Sequence, residues 1–420
     1  MPDSSASDPL LAGLSVYEVG GAVRDRLLGI EPGDRDFVVV GSEPEELARR
    51  GFRPVGRDFP VFLHPRTKQE YALARTERKN GRGYHGFEFH TGRHVSLEQD
   101  LARRDLTINA MAMDARGRLV DPHGGQRDLQ AQVLRHVSPA FGEDPVRILR
   151  LARFATRFPE FSIDAGTLAL CRQMVAAGEV HQLVPERVWQ EMSRALLEPR
   201  PSRFFVVLRE VGALAVVLPE LDALFGVPQP AVHHPEIDAG RHTLMVLDQA
   251  ARLGGGLPER FAALVHDLGK AVTPPDLWPA HHGHERLGLP LIRQLSERLR
   301  VPNACLDLAL LVGEFHLSIH RALSLRPATL VKLLERLDVF RRPERLDPVL
   351  IACEADYRGR LGLEGRPYPQ AEFLRTAWRA ATSVKAADLA ASGLSGPALG
   401  EALRRGRIEQ VAALIEAKTR

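Results

Sequence analysis

Asp34-Arg35-Asp36-Phe37-Val38-Val39-Val40 decides the reading of this chain. Two carboxylates stand two residues apart, directly ahead of an apolar run. In a strand, residues i and i+2 share a face. Asp34 and Asp36 are therefore expected to project together from a strand edge, where paired oxygen donors suit a hard cation such as Mg2+. Upstream, Val16 to Val19 reads as a strand, Gly20-Gly21 as a tight turn, and the stretch to Gly29 as a helix. Backbone N–H groups at such a helix start can hold phosphate. A solvated turn explains most isolated D-x-D pairs, and a simple turn explains most Gly-Gly pairs. The two together, in this order within about twenty residues, point to nucleotidyl transfer.

The 420 residues allow two to four domains with large cores. Hydrophobic content of 44% and charged content of 26% are those of an ordinary globular chain. No apolar run approaches the ~18 residues of a membrane span. Residues 1–13 are expected to be a disordered tail, without the pattern of a signal peptide. Cys171, Cys305 and Cys353 stand far apart, as thiols do in a reducing cytoplasm. The net charge is only +3, so nucleic acid would need a local basic patch. Aromatic content of 6% argues against base stacking as the main mode of binding single strands.

Strand-like runs at Val16 to Val19, Phe37 to Val40, Gln69 to Ala74 and Leu119 to Asp121 predict an α/β head over residues 14–137. Arg75 to Gly92, with four glycines and six charged residues, reads as a mobile loop. After Asp144 the spacing turns helical, at Val146 to Phe158, Ala165 to Ala177, Pro185 to Leu197 and Ser202 to Val211. Residues 138–226 are expected to form a helical neck. Val227-Pro228-Gln229-Pro230 and Pro235 read as a linker. A second helical module is expected at 238–340 and a helical tail at 341–420.

Three further motifs stand out, two of them for their chemistry. Arg103-Arg104-Asp105-Leu106-Thr107-Ile108-Asn109-Ala110 offers two guanidinium groups to phosphate or ribose. Asp121-Pro122-His123-Gly124-Gly125-Gln126-Arg127-Asp128-Leu129 reads as a structural turn. In Glu143-Asp144-Pro145-Val146-Arg147-Ile148-Leu149-Arg150-Leu151-Ala152-Arg153-Phe154, Asp144 suits an N-cap and Pro145 a first helical position. Its arginines recur every third residue, so neighbours touch while the row winds around the helix.

GGAVRDRLLG, the D-R-D pair, RRDLTINA, DPHGGQRDL and EDPVRILRLARF, in that order, resemble the bacterial class II tRNA nucleotidyltransferases, or CCA-adding enzymes. The resemblance covers nearly the whole chain and extends to the multifunctional proteobacterial form, which carries an HD domain. It implies a polymerase-β-like head, then an all-α neck, HD domain and tail. It further implies that Asp34 and Asp36 bind the catalytic Mg2+, and that Gly21, Arg24, Arg104, Arg150 and Arg153 contact nucleotide. Glu70 is the expected third carboxylate. Asp144 and Arg147 would read the incoming base. A carboxylate only accepts hydrogen bonds and a guanidinium only donates. Cytosine and adenine both pair an exocyclic amino donor with a ring-nitrogen acceptor; uracil and guanine reverse this. Two mismatched contacts at ~1–3 kcal/mol each reject UTP and GTP by roughly 30-fold or more. The loop at 75–92 would help the switch from C to A addition. The implied partners are CTP, ATP and the tRNA 3′ acceptor end, gripped partly by the basic tail, in the cytoplasm and without a membrane. Monomer, homodimer and higher oligomer stay open.

Nine of the sixteen histidines fall between 233 and 320. His266-Asp267-Leu268-Gly269-Lys270 follows an apolar helix and, with His242 and Asp356, completes the H…HD…D pattern of HD phosphohydrolases. His281, His282, His284 and His316 are further candidates, His284 first because an H-x-x-x-G follows there. His233 and His234 are assigned to the linker and not to the site. Mixed imidazole and carboxylate donors favour a transition metal over Mg2+. The resemblance implies Ni2+, with phosphatase, 2′-nucleotidase and 2′,3′-cyclic phosphodiesterase activities. Three rival readings remain: a poly(A) polymerase, a signalling hydrolase whose head only senses nucleotide, and a non-catalytic RNA-binding protein.

Overall fold

The computed structural model describes residues 8–55, 61–79 and 87–419. It divides into two compact units, Met1–Val188 with Glu210–Val216 and Trp189–Arg209 with Val217–Arg420. In the first unit the chain forms strands β1 (Ser15–Val19), β2 (Asp36–Val40), β3 (Arg53–Val55), β4 (Val61–Leu63), β5 (Glu70–Leu73), β6 (Arg75–Lys79), β7 (Phe87–Thr91), β8 (Ala112–Asp114) and β9 (Leu119–Val120). Seven of these build one mixed sheet in the order β3-β4-β5-β2-β1-β8-β9. The pair β2–β5 is parallel, with Asp36 opposite Glu70. The pair β1–β2 is antiparallel, from Ser15 opposite Val40 to Val19 opposite Asp36.

The apolar run of β2 is explained by burial on both faces. Phe37 and Val39 pack with Leu11, Leu47, Phe52, Phe62, Tyr71 and Leu73, the Phe37 and Tyr71 rings stacking at 4.7 Å. Val38 packs on the other side with Val19, Ala74, Val95, Leu97, Leu101, Ala110 and Ala112. Each such side chain contributes about 1.5–3 kcal/mol on burial. The pleat sends Arg35 to the Phe37 side, where its Nε donates to Glu18 at 2.8 Å. Asp36 is left on the opposite side, at the end of a strand held from both faces.

Two expectations change here. Residues 8–13, placed in the disordered tail, are ordered against the sheet: Leu11 is buried beside Phe37, and Arg50 donates to the carbonyls of Leu10 and Ala12. The apolar Leu10, Leu11 and Leu14 supply the reason; residues 1–7 lie outside the described residues. The expected mobile loop contains a hairpin, β6 with β7, paired from Arg75 opposite Thr91 to Lys79 opposite Phe87. Its glycines concealed the extended pairing on either side, and residues 80–86 lie outside the described residues.

The helices after the head match the spacing closely: Val146–Arg157, Ala165–Ala176, Pro185–Leu196 and Ser202–Glu210. In the second unit, helices Ala239–Arg252, Leu257–Val265, His284–Arg298, Asn303–His320 and Leu346–Arg358 form the core. Gly269 is needed there because a Cβ would lie 1.9 Å from the His284 carbonyl oxygen. The Pro-rich linker is packed: Gln229 is buried, and its backbone N–H donates to Ile237 O. In the tail, Arg407 lies over the Phe340 ring at 3.7 Å and Arg404 approaches Glu335, so these two arginines are partly structural. All three cysteines are buried, and burial pushes the Cys171 thiol up to about 12. Among the described residues, no helix is long and apolar enough to cross a membrane.

Candidate active sites

The first site is a cleft of about 370 Å³ lined by Gly20, Gly21, Asp36, Arg75, Arg103, Arg104, Asp105, Asn109, Asp144, Arg147, Arg150 and Arg187. Six guanidinium groups face three carboxylates, which suits a polyanion. Glu70, registered opposite Asp36, joins it in an adjoining recess with Arg103 and Arg104. Burial raises the Asp36 carboxyl above its ordinary pKa; Arg104 opposes this and the like charge of Asp34 adds to it. Asp34, two residues earlier and exposed, lines neither recess. An all-oxygen donor pair of like charge is of the kind that holds a hard divalent cation.

The turn before the first helix depends on glycine. Gly20 has φ 72°, and a Cβ there would lie 3.0 Å from Arg104 Nη1. Arg103 and Arg104 both pair with Asp100, which is fully buried on the helix Leu97–Ala102. Burial would raise the Asp100 carboxyl, but the two guanidinium groups outweigh it and hold the pKa low. Arg150 is likewise aimed by buried Asp105, its Nε 2.7 Å from Oδ2. Burial opposes that charge too, and Arg150 and Asn109 overcome it.

Asp144 accepts from Val146 N at 3.0 Å, but the N-cap of the helix is Pro145, one residue later than the sequence suggested. The second Asp144 oxygen is 3.1 Å from Arg187 Nη2. Arg147 donates to the carbonyls of Ala140 and Arg103, at 2.6 and 2.7 Å. Both groups are therefore held in one orientation, at the lip of the cleft. Arg187 carried no local signal, being 43 residues from Asp144.

Arg24 and Arg153 do not line this cleft. Arg24 is buried, donates to Asp25 and Asn109, and lies over the rings of Phe154 and Phe158. It backs the Gly20-Gly21 turn instead of reaching outward. Arg153 packs over the Phe154 ring at 4.6 Å. Six residues beyond Arg147, at about 100° per residue, the helix has turned it off the cleft face. Asp121 caps the helix Gly125–Gln130 by accepting from Gly125 N and Gln126 N, a structural use of that motif.

The second site lies wholly in the other unit. His242, His266, Asp267, His284, His316 and Asp356 are all buried and converge. Hydrogen bonding assigns the tautomers. Nδ1 of His266 faces Ala263 O at 2.8 Å, that of His284 faces His281 O at 2.8 Å, and that of His316 faces Val312 O at 3.0 Å. Carbonyls accept, so each of these Nδ1 atoms donates and each Nε2 is left bare. Nδ1 of His242 likewise faces acceptors, Gly359 O and Glu236 Oε1.

The bare nitrogens meet other lone pairs. His242 Nε2 is 3.1 Å from Asp356 Oδ1, His266 Nε2 is 3.1 Å from Asp267 Oδ2, and His284 Nε2 is 3.2 Å from Asp267 Oδ1. The Nε2 atoms of His284 and His316 are 3.4 Å apart. His266 Nε2 and Asp267 Oδ1 are buried without a hydrogen-bond partner. Acceptors facing acceptors in the interior need a cation between them. Two ligand groups result: His242, His266 and Asp356; and Asp267, His284 and His316. All five residues expected for the HD site are present, and His316 joins them. His234 lies close to the centre without joining either ligand group: its Nδ1 is 3.1 Å from Glu236 Oε1, because the linker folds back onto the site.

A proton competes with metal for the same lone pairs. Burial disfavours charging His266, but Asp267 and Asp356 outweigh it and raise its pKa above 6.5. Metal must therefore displace a proton that is held more tightly than on free imidazole. Below the raised pKa, affinity should fall about tenfold per pH unit, the fall starting above the ordinary histidine value. Co2+ titration of metal-stripped protein between about pH 8 and 6 checks this; pH-independent affinity would contradict it.

Beside this centre a cavity of about 650 Å³ is lined by Lys270, Arg321, Arg360, His233, His234, His320 and Tyr357, among others. His320 Nε2 lies 2.6 Å from Asp356 Oδ2 and its Nδ1 3.0 Å from the Tyr368 hydroxyl. Lys270 Nζ lies 2.6 Å from Asp267 Oδ2. Neither His320 nor Tyr368 had a sequence signal beyond its residue type.

Comparison with known proteins places the same segments in known families. Residues 16–135 match the family model "Poly A polymerase head domain", residues 160–225 "Probable RNA and SrmB- binding site of polymerase A", and residues 240–359 "HD domain". The multifunctional CCA protein of Alkalilimnicola ehrlichii is 64% identical over 403 residues, covering 96% of this chain and 98% of its own. That of Burkholderia lata is 58% identical over 410 residues, covering 96% and 99%. Among solved structures, the Thermotoga maritima CCA-adding enzyme complexed with tRNA superposes with a TM-score of 0.62 at 21% identity, covering 97% of this chain and 92% of that one. The Bacillus stearothermophilus CCA-adding enzyme in complex with CTP gives 0.62 at 24%, covering 97% and 91%. At these identities the structural likeness is one of fold.

Proposed function

Since the chain belongs to the multifunctional CCA protein family, we propose that it builds and repairs the 3′-terminal CCA of tRNA from CTP and ATP without a nucleic-acid template. One observation carries this reading: Asp36, Arg104, Asp144 and Arg147 converge on one cleft although up to 111 positions separate them. Asp34 and Asp36 would hold Mg2+. Its charge would favour the alkoxide of the tRNA 3′-hydroxyl and offset the triphosphate. Arg104 and Arg150, aimed by Asp100 and Asp105, bind triphosphate oxygens beside the Gly20-Gly21 backbone. Arg24 and Arg153 support that wall from behind. Asp144 accepts from the exocyclic amine of cytosine or adenine, and Arg147 donates to the adjacent ring nitrogen.

The HD centre is a second active site for phosphate esters, with phosphatase, 2′-nucleotidase and 2′,3′-cyclic phosphodiesterase activities. Four imidazoles and two carboxylates favour Ni2+ or another transition metal, and the two ligand groups sharing the neighbourhood of Asp267 leave room for two ions. Bound metal would supply an activated water for attack on phosphorus. Lys270, Arg321 and Arg360 favour an anionic ester in the adjoining cavity.

The test is product sequencing from tRNA that ends at the discriminator base, with CTP and ATP both present. The expected product ends in CCA. Runs of A alone would favour the poly(A) polymerase reading, and unextended tRNA the sensing or RNA-binding ones.

A further inference from the structure

Glu236 belongs to none of the motifs singled out above. It sits in the Pro-rich stretch before the helix Ala239–Arg252 and is buried. Its Oε1 lies 3.0 Å from His242 Nδ1 and 3.1 Å from His234 Nδ1, and Leu361 N donates to its Oε2 at 3.3 Å. An ionised carboxylate only accepts, so His234 donates its Nδ1–H to it, while the His242 Nδ1–H, hydrogen-bonded to Gly359 O at 3.1 Å, lies against the same carboxylate oxygen at 3.0 Å. For His242 the consequence is a bare Nε2 aimed at Asp356 Oδ1.

We propose that Glu236 is a positioning residue of the HD metal centre, holding His242 in its metal-ready tautomer and orientation. The proposal rests on the metal reading of that centre. His266 and His316 lean on backbone carbonyls, and His284 on a carbonyl at 2.8 Å with the Glu285 carboxylate farther off at 3.7 Å, whereas His242 has a carboxylate oxygen at 3.0 Å. A hydrogen bond to an ionised acceptor is roughly twice as strong as one to a neutral acceptor. It also pushes electron density onto the ring, which strengthens Nε2 as a donor to metal. The Gly359 carbonyl, 3.1 Å from the same Nδ1, is neutral and cannot replace that effect. His234 packs its ring 4.6 Å from that of His242, nearly perpendicular, and its own Nδ1–H pins the Glu236 oxygen in place. His242 is therefore the best donor of the four imidazoles, and the ion on the His242, His266 and Asp356 side is the tighter one.

The test uses the full chain, stripped with a chelator and titrated with Co2+ by visible absorption. Glu236→Gln keeps the shape and removes the charge. Its dissociation constant for the tighter ion should rise about 10–100-fold, while CTP incorporation in the head, the folding control, stays at the wild-type level. Nitrogen-15 shifts of the metal-free protein give an independent readout: His242 should carry its proton on Nδ1 in the wild type, and in the variant, where Gly359 O still accepts that proton, its Nε2 shift should move as the ring loses the carboxylate's electron density. Equal Co2+ affinity in both proteins, or a wild-type His242 protonated on Nε2 alone, overturns the role of Glu236. A wild-type chain that takes up no Co2+ at this centre overturns the metal reading beneath it.

Discussion

Replacing Asp34 and Asp36 together by alanine is expected to slow nucleotide addition to tRNA by at least roughly 10³-fold, the ~4 kcal/mol that metal stabilisation of a phosphoryl transition state supplies. The loss should fall on turnover. Arg104, Arg150 and the Gly20-Gly21 turn remain to bind triphosphate, and Arg35 keeps its ion pair with Glu18 on the other side of the sheet. Stability should change little, because both acids are exposed and the substitution removes the desolvation of Asp36 and its repulsion with Asp34 together with its attraction to Arg104. CTP incorporation into tRNA lacking CCA gives the rate, and thermal unfolding gives the stability. A well-folded double variant that adds CTP at the wild-type rate would remove the head assignment. Hydrolysis at the HD centre should be unchanged, since none of its ligands is altered.

Asp267→Asn should have an effect of similar size at the other centre. The carboxylate of Asp267 faces His266 and Lys270 with one oxygen and His284 with the other, so one substitution weakens both ligand groups. Hydrolysis of a 2′,3′-cyclic nucleotide should fall at least about 10³-fold and metal uptake should drop with it. The neutral amide also leaves buried Lys270 without its anionic partner, with only neutral oxygens such as that of Gln229 to accept from it. Breaking a buried pair in this way costs about 3–5 kcal/mol, so the melting temperature of the second unit should fall. CCA addition, measured below that temperature, should persist. A variant that retains metal and hydrolysis would show that Asp267 is a structural partner of Lys270 and not a ligand.

The parts legible in the sequence were those with a short period or a short motif. The D-R-D pair and the apolar run after it were read as a strand, and β2 spans Asp36–Val40. The arginine row ahead of Phe154 was read as a helix, and Val146–Arg157 is one. The HD dipeptide, with His242 and Asp356, marked the second centre, where all of these residues meet. The misreadings came from composition. Glycines in residues 75–92 concealed a hairpin, and prolines after Val227 concealed a segment that packs on the metal centre.

Local order alone thus determined which residue types were available: strand-edge acids, a helix with arginines, and a histidine-rich helical module. Periodicity reveals these because it depends only on neighbours a few positions apart. Tertiary structure alone decided which of them share a site. Arg187 reaches Asp144, His316 reaches His284, Glu236 reaches His242, and Arg24 turns inward to Asn109. Each of these choices is made by the burial of a charged or polar group that must find a partner, and the partner is selected by packing across the fold, not by spacing along the chain.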